Sequence, residues 1–179
     1  AADICTKEET ANYLGAESSE VKQVDYTIVL DRSGSMQGEK LEKVKQAARS
    51  LVNQLQPSDR ASIISFNYQA SIDQGLTSDH DRLSASIDAL QASFSTKYTP
   101  PLELALGQFS SSTKNKALIF LTDGASDFAE QPSEILNLVH TLAQDDVCIM
   151  TISYSQGTQE NTLLEEMATV GKEYGCGGH

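Results

Sequence analysis

Four stretches of β-branched and apolar residues recur along the chain: "VDYTIVL" (24–30), "ASIISF" (61–66), "KALIFLT" (116–122) and "DVCIMTIS" (146–153). Each is almost continuously apolar, with little polar alternation. Strands have this character when both faces are covered, as in a parallel sheet held between two layers of helices. A weaker stretch, "YQASIDQ" (68–74), alternates more and follows the second strand after "FN", which predicts a short antiparallel edge strand.

The intervals carry helical period. In "GEKLEKVKQAARSLVNQL" (38–55), Leu41, Val44, Ala48, Leu51, Val52 and Leu55 recur three and four residues apart, and Pro57 closes the pattern. "HDRLSASIDALQ" (80–91) offers Leu83, Ile87 and Leu90, and "PPLELALGQF" (100–109) opens on prolines that a first helical turn tolerates. "PSEILNLVHTLAQ" (132–144) has Ser133 as its expected N-cap, and "ENTLLEEMATVG" (160–171) is expected to stop at Gly171. This alternation predicts an α/β fold: a doubly wound, mostly parallel sheet with helices on both faces and one antiparallel edge strand, Rossmann-like in plan. The 179 residues suit one domain, 21–179, behind an N-terminal extension, 1–20.

Charge narrows the partners. Against 13 Lys plus Arg stand 25 acidic residues, a net −12 that repels nucleic-acid backbones and anionic membrane surfaces and welcomes cations or basic groups. The longest apolar runs fall far below the ~20 residues of a membrane helix, so no direct membrane insertion is expected. "AADICTKEET" shows no basic region followed by an apolar one, so no leader is expected within it. Cys5, Cys148 and Cys176 lack the paired spacings of a zinc site. Cys148, inside "VCIMTIS", is expected as a buried strand residue. Termini often lie close in space, which allows a Cys5–Cys176 bridge that would imply an oxidising compartment.

Oxygen-bearing side chains concentrate in three loops. "DRSGSM" follows the first strand with Asp31, Ser33 and Ser35; "DGASD" follows "ALIFLT" with Asp123; "FSTKYTPP" places Thr99 just before a helix, with Ser95 and Thr96 as rivals. In a parallel sheet the first two loops share the carboxyl edge, and the helix after Thr99 starts there too. Hydroxyl and carboxylate oxygens without nearby His or Cys suit a hard divalent cation, and two aspartates with three hydroxyls suit Mg²⁺ better than a carboxylate-rich calcium cage. The spacing Asp-x-Ser-x-Ser would aim alternate side chains of an extended turn one way, with Gly34 letting the backbone bend. Helix capping is the competing use of these serines. Asp127 is expected as a solvated loop carboxylate. His80, His140 and His179 share no metal spacing.

"DRSGSM", Thr99 and "TDG" together resemble the metal-ion-dependent adhesion site of von Willebrand factor A domains, the integrin inserted-type family, over about residues 22–171. The resemblance implies a cation, Mg²⁺ or else Mn²⁺ or Ca²⁺, held directly by Ser33, Ser35 and Thr99, with Asp31 and Asp123 acting through water or switching to direct contact. It implies a sixth coordination position open to an Asp or Glu of a protein partner, and strand order 3-2-1-4-5. The family continues into a sixth strand and a last helix that this chain, ending in "YGCGGH", does not spell out. The expected function is therefore cation-dependent, adhesion-type protein binding; the alternative is an intracellular assembly or regulatory subunit docking onto a large complex through the same site. No enzyme activity is expected, because no histidine lies in these loops and neither a nucleophile elbow nor a phosphate cradle with Lys is present. An extracellular or cell-surface location is favoured over a cytoplasmic one.

Overall fold

The computed structural model describes residues 23–112, 114–124, 130–154 and 161–173. Its strands are β1 (Val24–Asp31), β2 (Arg60–Phe66), β3 (Ala70–Thr77), β4 (Asn115–Thr122) and β5 (Val147–Ser153). The helices are α1 (Glu39–Gln54), α2 (His80–Asp88), α3 (Thr99–Phe109), α4 (Pro132–Gln144) and α5 (Asn161–Glu173). The strands form one sheet in the order β3-β2-β1-β4-β5. The pairs β1–β2, β1–β4 and β4–β5 are parallel and β2–β3 is antiparallel, as the apolar runs and the alternating fifth stretch predict.

Alternation along each strand divides the core in two. Ile28 and Leu30 of β1 pack with Val44 and Ala48 of α1 and with Leu83 and Ile87 of α2. Val29 of the same strand faces the other way, toward Leu102 of α3, Val139 of α4 and Met167 of α5. Central strands buried on both faces have no room for polar alternation, which explains their unbroken apolar sequence.

Several boundaries differ from the sequence reading. The fifth stretch forms its strand slightly later, at Ala70–Thr77, because Asn67–Gln69 make the turn from β2: the Asn67 N–H donates to the Gln69 carbonyl at 2.8 Å and the Gln69 N–H to Asn67 Oδ1 at 2.9 Å. Pro132 takes the first position of α4, so the N-cap is Gln131 and Ser133 lies inside the helix. Gly171 does not end α5, which continues to Glu173. A Cβ on Gly171 would lie 2.9 Å from Ile149 Cβ and 3.1 Å from its backbone N and O, so the glycine permits α5 to lie against β5. Gly171→Val is expected to lower stability by about 1–3 kcal/mol through overpacking. A urea midpoint equal to that of the parent would disprove this contact.

Cys148 is half-buried and disulfide-bonded, which corrects its reading as a buried free thiol. The proposed Cys5–Cys176 bridge lies outside the described residues. A chain with three cysteines cannot hold it together with an intrachain bond to Cys148. The extension 1–20 and Asp127 also lie outside them.

Candidate metal centre

β1 carries a buried aspartate near each end, and their surroundings differ. Asp25 is neutralised by Arg60, whose Nε and Nη2 donate to its two oxygens at 2.8 and 2.5 Å, with Ser112 Oγ at 2.6 Å. Asp31, at the carboxyl end, is equally buried, yet its hydrogen-bond partners among the described residues are neutral: the Ser33 N–H at 2.8 Å on Oδ1 and the Thr122 hydroxyl at 2.6 Å on Oδ2. Burial pushes the Asp31 carboxyl above its usual range against these bonds, and the charge of Asp123 pushes it the same way.

Around Asp31 the sheet edge assembles the other oxygens. Ser33 Oγ and Ser35 Oγ lie 3.0 Å apart, and Ser35 Oγ donates to Asp123 Oδ1 at 3.1 Å. Asp123 follows β4, the parallel neighbour of β1, and so reaches the same edge. Its second oxygen accepts from Lys40 Nζ at 2.8 Å. Thr122 is held in turn by the Tyr98 hydroxyl at 3.1 Å, so α3's N-terminal neighbour is tied to the floor of the site. Tyr98 itself is buried and its phenol is strongly raised, by burial first and then by the charges of Asp31, Asp123 and Glu130.

The turn is not the extended one expected. Gly34–Met36 forms one turn of 3-10 helix, and neither Ser33 nor Gly38, the residues preceding the two helical segments, caps with a side chain. The hydroxyls of Ser33 and Ser35 are thus directed to each other and to Asp123, away from capping. Gly34 is not needed for a left-handed bend. Its amide donates to the Phe94 carbonyl at 2.6 Å, and a Cβ there would come within 3.1 Å of that oxygen. Ser93 N to Arg32 O, at 2.9 Å, completes this bridge between the two loops. Phe94 stands 75% exposed beside the serine turn with φ 66°, a backbone conformation strained for a bulky residue.

Thr99 is the first residue of α3, inside the helix that it was expected to precede. Its hydroxyl is not hydrogen-bonded to the other four side chains; it donates to Glu130 Oε1 at 2.7 Å. Glu130 was missed by sequence reading, and its distance of 31 residues from Thr99 left no local signal. Of the rivals, Thr96 is buried and Ser95 is exposed.

The profile of the von Willebrand factor type A domain matches residues 25–175. The chain belongs to this family. Uncharacterized protein sll0103 of Synechocystis sp. (strain ATCC 27184 / PCC 6803 / Kazusa) is 30% identical over 132 residues, 66% of this chain and 31% of its own length. This chain thus spans about a third of that relative. The fold resembles that of the conserved hypothetical protein BatB from Bacteroides thetaiotaomicron, with TM-score 0.71 and 21% identity over 83% of this chain and 87% of that one. It also resembles the vWF domain of the type V pili tip protein Mfa5 from Porphyromonas gingivalis, with TM-score 0.56 and 23% identity over 59% and 39% of the two chains.

Von Willebrand factor A domains are protein-interaction modules, and they often bind a divalent metal. The donor set of this A domain fits such an ion. Ligands at right angles on an octahedral ion with bonds of 2.0–2.1 Å lie about 2.9 Å apart. The contacts Ser33–Ser35 and Ser35–Asp123, at 3.0 and 3.1 Å, are close to that edge length. Among the described residues no three His, Cys, Asp or Glu side chains are grouped to hold a metal by themselves, and the oxygens beside Asp31 and Asp123 are hydroxyls.

Proposed function

We propose that this A domain binds a divalent cation, Mg²⁺ foremost with Mn²⁺ or Ca²⁺ as alternatives, through Asp31, Ser33, Ser35, Asp123 and Thr99, and thereby captures an Asp or Glu side chain of a protein partner. The observation that carries this reading is Asp31: a buried carboxylate whose hydrogen-bond partners among the described residues are neutral, beside the second carboxylate of Asp123. An ionised group so placed is costly unless a cation compensates it. A bound ion would supply positive charge that offsets the local field of Asp31 and Asp123 and attracts the partner's carboxylate.

The residues of the chain perform the remaining tasks. Thr122 and the Ser33 amide fix both oxygens of Asp31. Lys40 neutralises one oxygen of Asp123 and leaves the other directed toward Ser35. Exposed Phe94 borders the site through its backbone bond to Gly34 and offers an apolar contact for the partner. The Cys148 disulfide supports a location in an oxidising compartment over the intracellular assembly role. The role is binding, with no reaction assigned.

Titrating the domain with Mg²⁺, Mn²⁺ and Ca²⁺ tests this. A melting temperature that rises with cation and returns on adding EDTA is expected, together with EDTA-sensitive retention of acidic peptides. A melting temperature indifferent to all three ions would refute the reading.

A further inference from the structure

Glu130 makes three hydrogen bonds to the first turn of α3. Its Oε2 accepts from Tyr98 N at 2.7 Å, and its Oε1 accepts from Thr99 N at 2.9 Å and from Thr99 Oγ1 at 2.7 Å. The two amides are ordinary business for a carboxylate at a helix start, where N–H groups lack intrahelical acceptors. The third bond has no part in capping. A hydroxyl has one hydrogen and two lone pairs, and the hydrogen of Thr99 is committed to Oε1. Both lone pairs are then left for a cation, and a charged acceptor at short range increases the electron density they offer. Ser33 and Ser35 bond to each other, and Ser35 donates to Asp123, so the hydroxyl partners of these two serines lie within the candidate ligand set, whereas the acceptor of Thr99 lies outside it.

We infer that Glu130 is a positioning residue for the cation site: it fixes the rotamer of Thr99, takes up its hydroxyl hydrogen and presents the oxygen to the ion as a ready-made ligand. The inference rests on the cation reading above. It gives the site an arrangement like that of metal-binding histidines, whose free ring N–H is held by a carboxylate behind them. It also accounts for how Thr99 takes part without hydrogen bonding to the other four side chains. Since Glu130 lies two residues before α4, next to its N-cap Gln131, its bonds to Thr99 tie the site to the start of a second helix.

The test is a double-mutant cycle on Mg²⁺ affinity, read by cation-dependent melting and by calorimetry with MgCl₂ alone. Glu130→Gln retains an oxygen for the amides but no charge, and is expected to raise the Kd for Mg²⁺ about tenfold, within the range seen when outer partners of metal ligands are replaced. Its melting temperature without cation is expected to stay within about 4 °C of the parent. Thr99→Ala is expected to weaken Mg²⁺ similarly, and adding Glu130→Gln to it should change the Kd by less than about twofold, because the two act as one unit. Thr99→Ser, which keeps the hydroxyl, should retain both the affinity and the Glu130→Gln effect.

Parental affinity in Glu130→Gln would overturn the inference while leaving the cation site intact. So would a full tenfold loss on adding Glu130→Gln to Thr99→Ala, since that would mean long-range charge and not positioning. A parent that binds none of the three cations would overturn both readings.

Discussion

Asp31→Ala is expected to abolish the Mg²⁺-dependent rise in melting temperature. At cation a hundredfold above Kd, binding to the folded state alone contributes about 2.7 kcal/mol. In a domain of this size that is a shift of roughly 5–10 °C. Without cation the substitution has opposing effects. It removes acceptors from the Ser33 amide and the Thr122 hydroxyl, and it also relieves a buried carboxylate that is held above its usual range by burial and by Asp123. The metal-free melting temperature is therefore expected to change much less than the Mg²⁺-dependent shift. Differential scanning calorimetry of parent and variant, each with MgCl₂ and with EDTA, separates the two effects. A variant that keeps the full Mg²⁺ shift would remove Asp31 from the site.

Phe120→Ala is expected to cost about 3–5 kcal/mol of stability, the range for deleting a buried aromatic ring. Phe120 is fully buried in β4, with ring centroids 5.1 Å from Phe66 and 5.0 Å from Tyr98. Phe66 and Tyr98 also meet edge-on at 5.8 Å, so removal of the central ring opens a cavity that its neighbours cannot fill without leaving each other. Tyr98 links that cavity to the site, because its hydroxyl steadies Thr122, which donates to Asp31. Mg²⁺ affinity should weaken together with stability. Urea unfolding should show a lower midpoint at unchanged slope. A loss below about 1 kcal/mol would show that the aromatic cluster is not a support of the fold.

The sheet was legible because its central strands are covered twice. Ile28, Val29 and Leu30 must all be apolar when consecutive side chains enter opposite cores, and that requirement is written directly into the sequence. The oxygen cluster was legible for a related reason: parallel strands end at one edge, so Asp31 on β1 and Asp123 after β4 had to be neighbours. Less legible were features that depend on contact between distant segments. Gly171 reads as a helix stop until β5 is seen passing under it, and Gly34 reads as a hinge until the Phe94 carbonyl is found above it. Cys148 reads as a small core residue because sequence shows a strand but not what the thiol meets.

The sequence by itself determined the layers, the strand order implied by its resemblance to von Willebrand factor A domains, and the oxygen-only character of the candidate centre. These follow from periodicity and from the chemistry of side chains at strand ends, both properties of short segments. Tertiary structure alone decided which hydroxyl faces what: Ser33 and Ser35 toward each other and Asp123, Thr99 toward Glu130, and Lys40 onto Asp123. Hydrogen-bond partners are selected by distances of about 3 Å between segments far apart in the chain. No pattern of neighbouring residues encodes such distances; they arise when the helices close over the sheet.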